Sequence, residues 1–171
     1  MSEEKTLIQR KLQKNPIPIK LKFTGDPNHI LSKEDEDAGY DIYTTEKNVI
    51  IGPGETHMFA TGIYTSFPSG YWIEIKERGS TAKYGLSVRS GVVDSGYRGE
   101  WFIGLTNCSN QGVAINWDWP SPLEGGVVEY PYGKAIAQAI IHELPPSIII
   151  KVDELELDSK RGIGKCGSSG K

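Results

Sequence analysis

A chain of 171 residues has room for one domain with a sizeable core and too little for two ordinary ones. Its 37% hydrophobic content, twenty glycines and ten prolines argue against a long helical bundle, and no apolar run approaches the ~20 residues of a membrane span. With 19 basic against 22 acidic residues the net charge is −3, so no stable nucleic-acid binding is expected, and an anionic ligand would be met by a few placed cations.

Residues 1–18 read as an N-terminal arm in which Leu7, Ile8 and Leu12 are the apolar anchors of a charged stretch, and the first residues lack the continuous apolar stretch expected of a secretory signal. From residue 19 the pattern turns to short runs. Ile19-Lys20-Leu21-Lys22-Phe23 alternates as a half-buried strand does, and Lys33-Glu34-Asp35-Glu36-Asp37 is a solvated turn. Asn48-Val49-Ile50-Ile51 ends at the turn signal Gly52-Pro53-Gly54. In residues 71–76, Tyr71, Ile73 and Ile75 take one face and Trp72, Glu74 and Lys76 the other; Trp101, Ile103 and Leu105 repeat the alternation. Residues 80–84 read as a single helical turn, residues 135–144 as a long apolar run and residues 148–152 as a short one. Many short strands with Gly/Pro turns predict an all-β sandwich or barrel. Residues 108–132, rich in turn formers and carrying Trp117 and Trp119, stand outside this strand grammar. The last fourteen residues, 158–171, have almost nothing to bury and are expected to stay mobile until something orders them.

The tail holds Gly162-x-Gly164-x-x-Gly167, but only four residues follow it, so no helix can take a pyrophosphate and the dinucleotide-binding reading fails. What remains is a glycine-rich backbone able to approach phosphate, with Ser168 and Ser169 as hydroxyl donors and Arg161 as a bidentate cation. Cys108 and Cys166 make no CxxC pair, and His29, His57 and His142 show no ligand spacing; this points to no disulfide or zinc framework and to a cytoplasmic protein. The sharpest local signal is Gly91-Val92-Val93-Asp94-Ser95-Gly96-Tyr97-Arg98-Gly99, which predicts a strand, a tight turn and a return strand. An aspartate at such a turn is usually there to hydrogen-bond the backbone, so the segment alone predicts no chemistry.

Taken in order, five segments resemble the motifs of the homotrimeric dUTP pyrophosphatase (dUTPase) family. They are Ala38-Gly39-Tyr40-Asp41-Ile42-Tyr43, then Arg78-Gly79-Ser80-Thr81-Ala82-Lys83-Tyr84-Gly85-Leu86, then residues 91–99, then Gly133-Lys134-Ala135-Ile136-Ala137-Gln138, then the tail from Arg161 to Gly170. The resemblance implies a distorted jelly-roll (β-clip) domain over residues 19–157, one short helix, and a C-terminal arm at 158–171 that closes the active site. It also implies a homotrimer with shared sites and Mg2+-assisted hydrolysis of dUTP to dUMP and pyrophosphate, which limits uracil in DNA and supplies dUMP for thymidylate synthesis.

By the same resemblance Asp94 orients and activates the attacking water, and Tyr97 lies against the deoxyribose so that a 2′-hydroxyl does not fit. The backbone of Gly91, Val92 and Val93 reads the uracil edge. Arg78, Gly79, Ser80 and Gln138 bind the triphosphate, Arg161, Gly167, Ser168 and Ser169 close over its far end, and Asp41 meets the metal through water.

The chain departs from the family pattern at four points. The usual Arg-Ser-Gly or Arg-Ser-Ser reads Arg78-Gly79-Ser80, Cys166 replaces an aromatic residue expected to stack on uracil, the usual Gly-Asp-Arg reads Gly133-Lys134-Ala135, and residues 108–132 are enlarged. The enlargement is a candidate contact for a protein partner and leaves a regulatory or weakly catalytic binding protein as an alternative. The related dCTP deaminase reading lacks its carboxylate, because Gly104 stands where a glutamate is needed.

Overall fold

In the computed structural model of the chain, residues 16–26, 31, 33–89, 91–119 and 125–156 are described. The expected N-terminal arm up to residue 15 and the tail with Arg161, Cys166, Gly167, Ser168 and Ser169 lie outside them.

The described residues form twelve short strands and one helical turn. In chain order the strands are β1 (Lys20–Phe23), β2 (Tyr40–Ile42), β3 (Val49–Ile51), β4 (Thr56–Ala60), β5 (Ile63–Ser66) and β6 (Tyr71–Lys76). After the helix α1 (Gly79–Lys83) come β7 (Leu86–Val88), β8 (Val92–Asp94), β9 (Phe102–Asn107), β10 (Val113–Ile115), β11 (Val128–Glu129) and β12 (Ala137–Glu143). They make four small sheets, β1-β5, β11-β10-β3, β2-β12-β6-β8 and β4-β9-β7, with a common core. Nearly all the pairing is antiparallel, the exception being β10 with β11.

The core follows from the strand period. On β6 the side chains of Ile73 and Ile75 turn inward and are buried, while Trp72, Glu74 and Lys76 face out. On β12 Ala137 and Ala139 are buried beside them. The opposite wall is β9, where Ile103 and Leu105 are sealed and Gly104, Thr106 and Asn107 are buried as well. Asn107 is tolerated there because its amide donates to Ile51 O (2.8 Å) and Gln111 O (2.7 Å) and its carbonyl accepts from Ser109. The turn after β3 forms as its sequence requires: Gly54 takes φ +76°, and the Glu55 carboxylate accepts from Gly52 N.

Three expectations need correction. Residues 91–99 give β8 and a turn closed by Tyr97 N–H to Asp94 O (3.0 Å), but no return strand; the chain crosses instead to β9, in another sheet, and just before it Trp101 N–H donates to Ile63 O of β5. Residues 108–132 are not purely loop. The apolar triplet Val113-Ala114-Ile115 is buried as β10, and the segment is clasped to the β2–β3 connection by Asp118 with Lys47 Nζ (2.7 Å) and with Asn48. Finally, the apolar run at 148–152 forms no strand. Pro145 and Pro146 interrupt it from β12, and Ile148, Ile149 and Ile150 stay in solvent, Ile149 at 98% exposure.

The sheet β2-β12-β6-β8 positions the site. Its outward face carries Asp41, Gln138, Glu74, Trp72 and Asp94, with His142 stacked on Trp72 and bonded to Glu74 at 3.0 Å.

Candidate active site

The first group of sequence-predicted residues gathers at β8 and the turn after it. β8 is the edge strand of its sheet, so one row of its main-chain donors and acceptors is left for something other than β6. A cavity of about 200 Å³ opens between Val92, Val93 and Asp94 on one side and Tyr97, Trp101 and Phe102 on the other. Val93 anchors this strand in the core, whereas Asp94 is exposed. The Asp94 main-chain carbonyl, not its carboxylate, closes the turn. Tyr97 is 45% exposed and is tethered by its hydroxyl to Glu100 O at 2.8 Å. Two residues that the sequence did not single out shape this arrangement. The Arg98 guanidinium donates to Ser95 O (2.7 Å) and Tyr97 O (2.8 Å), stapling the turn from inside. A Cβ at Gly99 would fall 2.6 Å from Tyr97 Cζ, so only glycine lets the ring lie where it does.

The second group gathers around Arg78, at the start of α1. Thr81 Oγ accepts from Arg78 N–H (3.0 Å) and donates to Arg78 O (2.8 Å), which fixes the backbone of that turn. Arg78 Nε lies 2.8 Å from Asp41 Oδ1. Burial raises the Asp41 carboxyl above its ordinary value even though the Arg78 charge pulls it down. Arg78 Nη1 reaches Ser80 Oγ and Ala135 O, both at 3.4 Å. Gln138 donates to Glu77 O (2.8 Å), and a Cβ at Gly39 would fall 2.8 Å from Gln138 Oε1, so Gly39 is what lets β2 close on β12. Burial pushes the Glu77 carboxyl up, but hydrogen bonds from its own backbone N–H, the Val88 N–H and the Ser87 hydroxyl, with the charge of Lys76, outweigh that and leave it below its ordinary value. Gly79 is exposed with open space around it.

Sequence pattern also missed Tyr130. It is fully buried, and its hydroxyl meets Ser80 Oγ at 3.0 Å and Ala135 O at 2.7 Å. Where the resemblance anticipates an arginine after Gly133-Lys134, Ala135 is buried and contributes its carbonyl instead.

One chain does not bring the two groups together. Gln138 pairs with Lys76 on β6, whereas Asp94 pairs with Trp72. Four residues of strand at ~3.3 Å and two strand spacings of ~4.8 Å separate Gln138 from Asp94 by roughly 16 Å, and Arg78 lies beyond Lys76.

Comparison with known proteins identifies the family. The model of the dUTPase family matches residues 27–118. A deoxyuridine 5′-triphosphate nucleotidohydrolase of Nautilia profundicola is 37% identical over 139 residues, covering 80% of this chain and 86% of that protein. The chain belongs to the dUTPase family. A relative of the same name from Thermobifida fusca is 39% identical over 137 residues, 78% of this chain and 68% of that one. Among solved structures, a variant of the Staphylococcus bacteriophage 80alpha dUTPase with dUpNHpp superposes with a TM-score of 0.70 at 26% identity, covering 90% of this chain and 98% of that one. The all-β architecture with one short helix is thus the jelly-roll-like fold of dUTPases.

Family membership directs attention to both groups of residues and to the tail beyond residue 156. No helix among the described residues is long and apolar enough to cross a membrane. They also hold no cluster of three or more metal-ligating side chains. Magnesium keeps several waters and binds largely through substrate phosphates, so a single nearby carboxylate such as Asp41 fits it.

Proposed function

We propose that this protein hydrolyses dUTP to dUMP and pyrophosphate in a homotrimer, the Asp94 group of one chain facing the Arg78 group of another. The observation that carries this reading is the separation of the two groups, roughly 16 Å apart on one exposed sheet face. Within one chain the Asp94 carboxylate is therefore out of reach of the Arg78 guanidinium. The exposed run Ile148-Ile149-Ile150, which finds no strand partner among the described residues, independently supports a chain that is covered by its copies.

In this reading the uracil edge meets the main chain of Gly91, Val92 and Val93, where Gly91 O already accepts from Ile75 N–H (2.9 Å) and Val93 is paired with Ile73. Cytosine presents the opposite donor and acceptor pattern there, which leaves polar groups unpaired and makes discrimination steep. Tyr97, held by Glu100 O, lies against the deoxyribose and excludes a 2′-hydroxyl. The Asp94 carboxylate orients a water and takes its proton as the bond between the α- and β-phosphates breaks. One water is consumed, and dUMP and pyrophosphate leave. Arg78 and Gln138 hold the triphosphate, with Gly79 and Ser80 beside them. Gln138 has one amide hydrogen engaged by Glu77 O and one to give. Arg161, Gly167, Ser168 and Ser169 of the tail close over the far phosphate. Mg2+, when bound, supplies charge neutralisation on the phosphates, with Asp41 reaching its water shell. Positioning and charge neutralisation then carry most of the catalysis.

Pyrophosphate release from dUTP, dCTP, dTTP and UTP with Mg2+ tests the reading, with rapid release from dUTP alone as the expected result. Mixing inactive Asp94→Asn and Arg78→Ala chains then tests the shared site. Random assortment of 1:1 chains regenerates about one complete site in four. A mixture as inactive as its components, or a monomeric mass by light scattering, rejects the shared site.

A further inference from the structure

Tyr130 lies outside the segments that carry the family resemblance, yet it is among the largest fully buried side chains, 1% exposed. Its ring stands edge-on to Tyr84 at 5.2 Å, and its hydroxyl sits at the centre of the Arg78 group. The hydrogens in that group can be placed by counting. A guanidinium only donates and a main-chain carbonyl only accepts. Tyr130 therefore gives its proton to Ala135 O, Ser80 gives its proton to Tyr130 Oη, and Arg78 Nη1–H gives its proton to Ser80 Oγ. The result is a one-way chain, Arg78 to Ser80 to Tyr130 to Ala135, beside which Arg78 Nη1 also reaches Ala135 O directly at 3.4 Å. Asp41 grips the same guanidinium at Nε. Arg78 is thereby held on two sides, and Nη2 is the guanidinium nitrogen that this network does not use. Burial raises the Tyr130 hydroxyl above its ordinary value, so the phenol keeps the proton the chain needs at neutral pH.

Resting on the dUTP-hydrolysing reading, we propose that Tyr130 is a positioning residue that acts through Ser80 to set the Arg78 guanidinium for the triphosphate. Ser80, whose type and place suggest a phosphate ligand, thus has its hydroxyl proton committed inward. A ring of this size at residue 130 also suits a chain with Ala135: the Tyr130 hydroxyl lies beside Arg78 and shares the Ala135 carbonyl with it.

Three variants test this. Tyr130→Phe keeps the ring and its packing on Tyr84 and removes only the hydroxyl. Ser80→Ala breaks the same chain one step earlier, from a half-buried position. Each lowers kcat/KM for dUTP by about tenfold, the size expected for one hydrogen bond to a charged group, and the double variant falls by the same tenfold and not a hundredfold. In an Arg78→Lys background, which lacks the planar fork, adding Tyr130→Phe changes kcat/KM by less than about twofold. A merely structural tyrosine would cost the same in every background. Tyr130→Phe within twofold of the wild type, or losses that multiply across the three sites, overturn the proposal.

A readout independent of turnover separates this inference from the reading beneath it. Hydrogen exchange at the Arg78 Nε–H, followed by NMR, speeds up about tenfold in Tyr130→Phe. Unchanged exchange rejects the positioning role even if the enzyme is active. A wild type that releases no pyrophosphate rejects the hydrolase reading while the exchange experiment still decides on Tyr130.

Discussion

The two groups of site residues are built in opposite ways. Around Arg78 nearly every polar atom is engaged: Asp41, Ser80, Tyr130, the Ala135 carbonyl and the Glu77–Gln138 contact form a half-buried mesh. Around Asp94 the side chains are exposed, and the surroundings are mostly main chain: an edge strand, a tight turn and a small cavity. The contrast matches the role proposed for each group. A cation that meets several phosphate oxygens gains from being fixed beforehand, since ordering it at the moment of binding costs affinity. A base that collects a proton from water needs reach and solvent, and a carboxylate locked in an internal network would lose both.

That contrast is sharpest if substitutions on the Asp94 side cost rate and leave binding. Asp94→Asn is expected to lower kcat by 10²–10⁴-fold while the affinity for a non-hydrolysable dUTP analogue, measured by calorimetry, stays within about threefold. Affinity lost in step with turnover would mean that Asp94 holds the substrate, and the division of labour would go. Next in size is Gly99→Ala. The new methyl meets the Tyr97 ring, which must swing away from its Glu100 tether. The expected result is a drop of about tenfold in kcat/KM for dUTP with a smaller drop for UTP, because the surface that refuses the 2′-hydroxyl has moved. Equal losses on both substrates would show that Tyr97 does not set the sugar preference.

The smallest effect concerns pH on the Arg78 side. The folded state holds the Asp41 proton more tightly than the unfolded chain does, because burial outweighs the pull of Arg78. Its contribution to stability is therefore full below the unfolded value of 3.8 and is lost as pH rises through the raised folded value. Relative to Asp41→Asn, the wild type should lose stability as pH rises above the unfolded value of 3.8, read as a Tm difference that narrows or reverses. A difference that grows with pH would mean that the ion pair with Arg78 outweighs desolvation.

Much of the fold could be read from local pattern. Residues 71–76 form β6 with the expected faces, the Gly52-Pro53-Gly54 turn is in place, and the helical turn expected at residues 80–84 appears one residue earlier. The missing return strand shows where such reading stops. Residues 97–101 had turn and strand chemistry, but Trp101 found more apolar surface by crossing to the other sheet than by pairing with β8, and it ends 2% exposed. Burial at 148–152 was equally out of reach, since whether isoleucines are covered depends on what surrounds the chain and not on their period.

The site divides along the same line. Asp94 and Tyr97 sit within nine consecutive residues, so their motif is visible on paper. Tyr130 belongs to Tyr130-Pro131-Tyr132, which has no period and no motif, and its importance arises from a partner fifty positions away. Arg98 and Gly99 were in plain view but carried no chemical role of their own; only the placement of the Tyr97 ring gives them one.

In the proposed trimer, the bare isoleucines at 148–150 make dilution a chemical variable. A chain parted from its copies would return three branched hydrocarbon side chains to water at the same moment that it separates Asp94 from the neighbouring Arg78. Loss of turnover and gain of stickiness then become one event, and storage at high concentration protects both properties together.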